Sequence, residues 1–402
     1  MKALEDIRVA DFSWVIAGPL TAMLLADFGA EVVHVESSTS PDVLRSVWPM
    51  KDRIPGVNRS PTFARYNAGK YGISLNLRHP RGVEMARRLV VWADIVIENF
   101  TPGVMERLGL GYEELSRGRS DLIMLSLPML GRTGPLAHHP GLGVQLSDLI
   151  GFGNITGWAD REPNTPPGAY TDLISPYYAV CALMAALDYR RRTGKGQYVE
   201  LSQYEAGVQF VAPLIMDWTV NGREPVRRGN RCDRAVPHGV YKCRGEEQWC
   251  AIAVFTDAEW EGLCRTMGNA ALADDPRYAT LLERRRHEDE IDSLVEKWTA
   301  GQSAAEVMSK LQRAGVPAAV VSSGRDLYED PQLADRGFYV ELNHAEIGPH
   351  HYPRPPFKMS RSHGEPQMPA PCLGQHNDYV YRQILGISDE EFVQLLNEGV
   401  FD

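Results

Sequence analysis

Cysteine is scarce in this chain: six among 402 residues, none of them in a C-x-x-C pair. That excludes a disulfide scaffold, and the lack of any Cys/His ligand spacing excludes a zinc site, so no metal is expected. Positive charge is in deficit as well. A net charge of −10, with no basic run or aromatic-interleaved basic patch, argues against nucleic acid as a partner. No apolar run is long enough to cross a bilayer, and the opening Met1-Lys2-Ala3-Leu4-Glu5-Asp6 lacks the apolar core of a signal peptide. No membrane association is therefore expected, and the expected location is the cytoplasm. Two phosphate-binding signatures are also missing. No G-x-G-x-x-G follows the first strand signal and no G-x-x-x-x-G-K-S/T occurs anywhere, which disfavours a nicotinamide dehydrogenase and a P-loop enzyme.

What the chain does contain is alternation. Strand signals at residues 7–12, 31–36, 73–77, 94–100 and 122–127 are interleaved with helix signals at 20–28 and 80–92. Such alternation predicts an α/β protein with a doubly wound, mostly parallel, Rossmann-like sheet. Ligands of such sheets bind beyond the carboxyl ends of the strands, here residues 11–16, 36–38, 76–78 and 98–101. A buried helix over 173–189, a strand over 198–202 and a helix over 203–219 follow. From about Asn221 the texture changes to a hairpin (238–243 with 249–254) and charged amphipathic helices at 258–267, 279–300 and 303–314. The expected organisation is a large domain over 1–221, a smaller α+β domain over 222–314, and a return segment over 315–402. The return segment carries a capping box, Ser388 with Glu391, and packs on the large domain or on a partner subunit.

One carboxylate stands out. Asp172 lies where the Pro/Gly-rich stretch Pro166-Pro167-Gly168-Ala169-Tyr170-Thr171 gives way to the long apolar helix. A helix N-terminus favours negative charge, so this is a suitable place for a carboxylate nucleophile. The same residue, read alone, is more simply an N-cap, and it is the other features that turn the reading toward a nucleophile.

Several motifs, in order, carry a resemblance along nearly the whole chain. They are Ala17-Gly18-Pro19; L-A-D-F-G-A-E-V-V-H-V-E ending at Glu36; Asn67-Ala68-Gly69-Lys70; D-I-V-I-E-N-F ending at Phe100; and Gly131-Arg132-Thr133-Gly134-Pro135. Asp172, T-G-K-G-Q at 193–197, A-G-V-P at 314–317 and Leu385-Gly386-Ile387-Ser388 complete the set. Together they resemble the class III CoA-transferases, the family of formyl-CoA and carnitine CoA-transferases. The resemblance implies coenzyme A as a substrate carried on an acyl donor, and covalent catalysis by Asp172 through acyl-aspartyl anhydride and aspartyl-CoA thioester intermediates. It also implies CoA contacts at Ala17, Leu75, Asn76, Asn99, Phe100 and Arg107, and an interlocked dimer, either a homodimer or a heteromer with a sister subunit.

The chain departs from its relatives at Ile16, where the formyl-CoA enzyme carries Gln, and at Leu142-Gly143, where racemase relatives carry His-Asp. A racemase needs two opposed acid/base groups across the α-carbon. Trp14, Ile16, Leu142 and Val144 are expected to line a weakly polar acyl pocket. The expected reaction is CoA transfer from an acyl-CoA such as succinyl-CoA to a carboxylic acid, apolar or aromatic, such as benzylsuccinate. The alternatives are a 2-methylacyl-CoA racemase-like enzyme and a non-catalytic CoA-binding subunit of a hetero-oligomer.

Overall fold

Six short strands rich in Val and Ile form one parallel sheet: β1 (Arg8–Asp11), β2 (Glu31–Glu36), β3 (Tyr71–Ser74), β4 (Ile95–Glu98), β5 (Ile123–Ser126) and β6 (Tyr198–Glu200). Their order is β3-β2-β1-β4-β5-β6. Alternate residues feed two cores, as the period of two in a strand demands. Ala10, Val33, Val35, Ile73, Val96 and Met124 face one way, against Met85, Ala86, Leu89 and Val90 of the Pro80–Trp92 helix. Val9, Val32, Ile95, Ile97 and Leu125 face the other, against Ala22 and Leu25 of the Ala17–Asp27 helix and Ala179, Leu183 and Leu187 of the Tyr170–Thr193 helix. Helices on both faces make the sheet doubly wound, and its strand order reverses between β1 and β4.

The computed structural model describes residues 2–141 and 143–402 and falls into two units. The first comprises the chain up to Asn154, Asn164–Pro225 and Ala334–Asp402; the second comprises Ile155–Pro163 and Val226–Leu333. The second unit holds an antiparallel sheet of β7 (His238–Lys242), β8 (Trp249–Ala253) and β9 (Ala318–Val320). Because β9 pairs with β8, this unit runs past residue 314 to Leu333. The helix expected over 279–300 breaks at His287 into Leu281–Arg286 and Glu288–Thr299.

The C-terminal stretch belongs to the first unit. Val380, Tyr381, Leu395 and Phe401 join the core of the Pro80–Trp92 face. The Pro-rich run near residue 350 is a strand, β11 (Gly348–Pro353), antiparallel to β10 (Tyr339–His344). The exposed edge of β3 is closed by side chains in place of a strand: Gly72 N–H donates to His376 Nδ1 at 3.0 Å and Ser74 N–H to Asn377 Oδ1 at 2.9 Å. β3 ends at Ser74 rather than 77 because Asn76 N–H turns to Val400 O at 2.8 Å. Of the capping box at Ser388, the Ser388 hydroxyl accepts from Glu391 N–H, while the Glu391 carboxylate pairs with Arg88 at 3.0 Å. In the T-G-K-G-Q turn, Gly196 passes so near β5 that a Cβ there would lie 2.0 Å from Leu122 O, so only glycine fits.

Candidate active site

Polar residues inside the buried strands converge just below the carboxyl edge of the sheet. Asp11, at the end of β1, accepts from Ser13 N–H at 3.0 Å, from the Ser13 hydroxyl, from His34 Nδ1 at 3.0 Å and from Lys70 Nζ at 2.8 Å. Lys70 donates also to Asn67 Oδ1 at 2.9 Å. Glu36, at the end of β2, holds Arg45 in a fork of 2.8 and 2.6 Å, and Arg45 lies 3.6 Å over the Phe63 ring. All of these charged groups are buried. Burial alone would push the Asp11 carboxyl up, but Lys70 and His34 reverse it and hold the group well below the usual carboxylate range. Two motifs distant in sequence, E-V-V-H-V-E and N-A-G-K, therefore meet in one cluster. Sequence reasoning assigned these residues no role. The available signal was His34 and Glu36 inside an otherwise apolar parallel strand, where an ionisable side chain needs a partner.

Above this cluster runs the loop from β1 to the Ala17–Asp27 helix. Trp14 N–H donates to Asn99 Oδ1 at 2.9 Å, and Asn99 Nδ2 returns to Trp14 O at 2.7 Å. This reciprocal pair ties β1 to β4 at the point where the strand order reverses, the place where open α/β sheets bind ligands. A cleft of about 220 Å³ opens there, lined by Trp14, Leu75, Asn76, Phe100, Ser37 and Arg78 among others. Trp14 meets Phe100 edge-on at 5.7 Å. Phe100 is set by Glu98, which accepts its N–H at 2.8 Å. The volume is below the ~300 Å³ at which drug-sized pockets begin, so the cleft suits one flat ring of a larger ligand.

Four of the residues expected to touch CoA thus fall together: Leu75, Asn76 and Phe100 in the cleft wall, and Asn99 behind Trp14. Ala17 is buried at the start of its helix, whose N-cap, Ile16, makes no side-chain capping bond. Arg107 does not line the cleft; it is exposed on the short Val104–Arg107 helix beside the lining residues Val104 and Leu108. The residues expected to form the acyl pocket separate. Trp14 faces the cleft, Ile16 packs with the cluster of Leu20, Met23 and Phe63, and Val144 is exposed on the Gly143–Leu149 helix. Leu142 lies outside the described residues.

Asp172 is in the first turn of the Tyr170–Thr193 helix, not at its cap; Ala169 holds that position. This helix leads into β6, and a crossover helix starts at the carboxyl edge of a parallel sheet. Asp172 therefore shares that edge with the cleft. The residue is 8% exposed, and among the described residues no hydrogen bond or ion pair engages its carboxylate. Burial raises its pKa to about 7. Gly143 crosses directly over it: a Cβ at that position would stand 2.8 Å from Asp172 Oδ1 and 2.6 Å from the Ala169 Cβ. Sequence reasoning noted Gly143 as a departure from relatives but assigned it no role.

The fold and this edge define an α/β protein of the Rossmann type, with a ring-sized cleft at its switch point and, on the same edge, a buried carboxylate that has no partner among the described residues. The profile of the family described as CoA-transferase family III matches residues 4–377. The chain is 31% identical over 395 residues to succinyl-CoA–D-citramalate CoA-transferase of Chloroflexus aurantiacus, covering 98% of this chain and 97% of that protein. It is 30% identical over 403 residues to succinyl-CoA:glutarate CoA-transferase of Mus musculus, covering 100% and 91%. A solved structure of a CAIB/BAIF family protein from Brucella suis superposes with a TM-score of 0.88 at 29% identity, over 95% of this chain and 99% of that one. The chain belongs to CoA-transferase family III, and it is a CoA-transferase that uses acyl-CoA thioesters as substrates.

Proposed function

We propose that this enzyme moves CoA from succinyl-CoA to a dicarboxylic acid with an apolar substituent, benzylsuccinate being the test case, with Asp172 as nucleophile. The observation that carries this reading is the state of Asp172: buried, without a partner among the described residues and raised to about 7 by desolvation. A carboxylate without hydrogen-bond donors keeps its lone pairs free for attack, and its raised basicity strengthens it as a nucleophile. The similar proteins named above act on succinyl-CoA and on D-citramalate or glutarate, which supports the donor and the dicarboxylic class of acceptor. Val144, exposed and apolar beside the Gly143 that crosses Asp172, supports the substituent.

The reaction runs in four exchanges without net proton transfer. Asp172 Oδ forms a bond to the thioester carbonyl carbon, the C–S bond breaks, and CoA thiolate leaves a succinyl-aspartyl anhydride. The thiolate attacks Asp172 Cγ, the anhydride C–O bond breaks, and succinate departs from an aspartyl-CoA thioester. The acceptor carboxylate attacks Cγ and expels the thiolate, forming a second anhydride. The thiolate attacks the acceptor's carbonyl carbon, releasing the new acyl-CoA and the Asp172 carboxylate. Each step passes through an oxyanion that needs fixed donors; the amides of Ala17 and Gly18, at a helix start without a side-chain cap, suit that role. The cleft of Trp14, Leu75, Asn76 and Phe100 suits the adenine, with Arg78 and Arg107 beside it for phosphates.

The working enzyme on this reading is an interlocked dimer. Tyr177, Phe210, Ile215, Met216, Trp218 and Val220 of the Tyr170–Thr193 and Gln203–Asn221 helices are all exposed, and apolar faces of this kind call for a partner. The test of the chemistry is mass spectrometry after incubation with succinyl-CoA and treatment with hydroxylamine or borohydride. The expected result is a modification at Asp172 that is absent in Asp172→Asn. CoA binding without any adduct at Asp172 would overturn the assignment.

A further inference from the structure

The loop between β1 and the Ala17–Asp27 helix holds a backbone conformation that its sequence disfavours. Val15 has φ 70°, the left-handed region, where a β-branched residue is an outlier. Strain of this kind biases the loop's own equilibrium by roughly 5- to 150-fold toward relaxation. It persists only where surrounding groups over-determine it, and three side chains from different elements do so. Ser13 N–H donates to Asp11 Oδ1 at 3.0 Å, Trp14 N–H to Asn99 Oδ1 at 2.9 Å, and Val15 N–H to Asp42 Oδ2 at 2.8 Å. Consecutive amides are thus each captured by a carboxylate or carboxamide.

Asp42 is the member of this set that acts on the strained residue itself. It is fully buried and divides its oxygens between the loop and its own short helix: Oδ2 takes Val15 N–H, and Oδ1 caps Val43–Ser46 through Leu44 N–H at 2.9 Å. Its own N–H is anchored to Glu36 Oε1 at 3.2 Å, the carboxylate that forks with Arg45. The chain of contacts runs from the buried ion cluster through Asp42 to Val15. On either side of Val15 stand Trp14, in the cleft wall, and Ile16, which begins the helix.

We infer that Asp42 is a positioning residue for catalysis, holding Val15 in the left-handed conformation that turns Trp14 into the cleft and Ile16 to the helix start. It touches no substrate; it acts through the loop. The inference rests on the reading that acyl-CoA occupies this cleft and edge.

The experiment is a rescue. Asp42→Ala removes the clamp and lets Val15 relax, and kcat/KM for succinyl-CoA is expected to fall at least tenfold. Glycine takes φ 70° without strain, so Asp42→Ala with Val15→Gly is expected to recover at least fivefold over Asp42→Ala. Asp42→Asn keeps one acceptor oxygen for two amides and is expected to lose less than Asp42→Ala; it serves as the test variant if the alanine protein does not fold, with Val15→Gly again the rescue. A merely structural aspartate would lower the melting temperature, and Val15→Gly would not restore turnover. Loss without rescue, or unchanged kcat/KM in folded Asp42 variants, would overturn the inference. Trp14→Ala separates the two readings. If it leaves CoA affinity unchanged, the cleft assignment has failed; if it weakens CoA while the Asp42 variants retain full turnover, only the role of Asp42 has.

Discussion

Asp172→Asn removes a charge that the fold holds at a loss. The carboxyl has a pKa of about 7 in the folded chain against 3.8 when solvated, and each unit of difference is worth about 1.4 kcal/mol. Because the folded value is raised, folding favours the protonated form. The penalty is absent well below pH 3.8, grows as the unfolded chain ionises ahead of the folded one, and is complete once pH passes the folded value. By linkage it amounts to roughly 0.6 kcal/mol at pH 4 and roughly 4 kcal/mol at pH 8. Asparagine has nearly the same shape and no charge, so the variant escapes the term. Its advantage in stability over the wild type should widen with rising pH.

The assay is thermal unfolding of both proteins at matched pH between 4 and 8.5, read as the difference in Tm at each pH. The difference matters because Asp27, also raised to about 7 by burial, imposes the same trend on both proteins and cancels. In parallel, kcat/KM of the wild type for succinyl-CoA should fall on the acid side with an apparent pKa near 7 as the nucleophile protonates, and Asp172→Asn should be inactive. A Tm difference that stays flat from pH 4 to 8.5, with an acid limb near pH 4, would refute the argument, since Asp172 would then be solvated or paired.

Gly143→Ala puts a methyl 2.8 Å from Asp172 Oδ1; kcat should drop at least tenfold while CoA affinity by calorimetry holds, and equal loss in both would point to a general collapse of the edge. Lys70→Met leaves the buried Asp11 carboxylate without its cation, a change that costs about 3–5 kcal/mol when one partner of a buried pair is removed. Denaturant unfolding should show that loss, and Asp11→Asn in the same chain should return part of it.

Much of this architecture is written locally. Short apolar runs mark β1, β2, β4 and β5, as strands buried on both faces require, and Pro80 in the first turn with apolar spacing to Val90 defines its helix to the residue. A cleft at the strand ends was foreseeable, because open parallel sheets bind ligands beyond the carboxyl ends of their strands. What could not be read locally depends on long-range partners. β3 is cut short by Val400, the small unit gains β9 from beyond its expected boundary, and the Asp11–Lys70 pair joins residues that no periodicity relates. Ile16, Trp14 and Val144 were grouped by chemical type, yet Trp14 lines the cleft, Ile16 packs in a separate core and Val144 is exposed on another helix.

The position of Asp172 turns on a shift of less than one helical turn. Read from composition, the helix begins at Leu173, and an aspartate just before it is a cap whose oxygens belong to the helix's own amides. The helix begins instead at Tyr170, with Ala169 at the cap. That places Asp172 among the first-turn residues, where, among the described residues, its carboxylate takes no hydrogen bond from the helix amides. Tyr170 and Thr171 are drawn in by their own contacts, Tyr170 edge-on to Phe152 at 4.9 Å and Ser175 Oγ closing onto Thr171 O at 2.6 Å. The same shift converts a stabilising cap, whose pKa hydrogen bonds would lower, into an uncompensated carboxylate whose pKa burial raises. A helix start is the least certain feature of any sequence reading, and here the proposed chemistry depends on it.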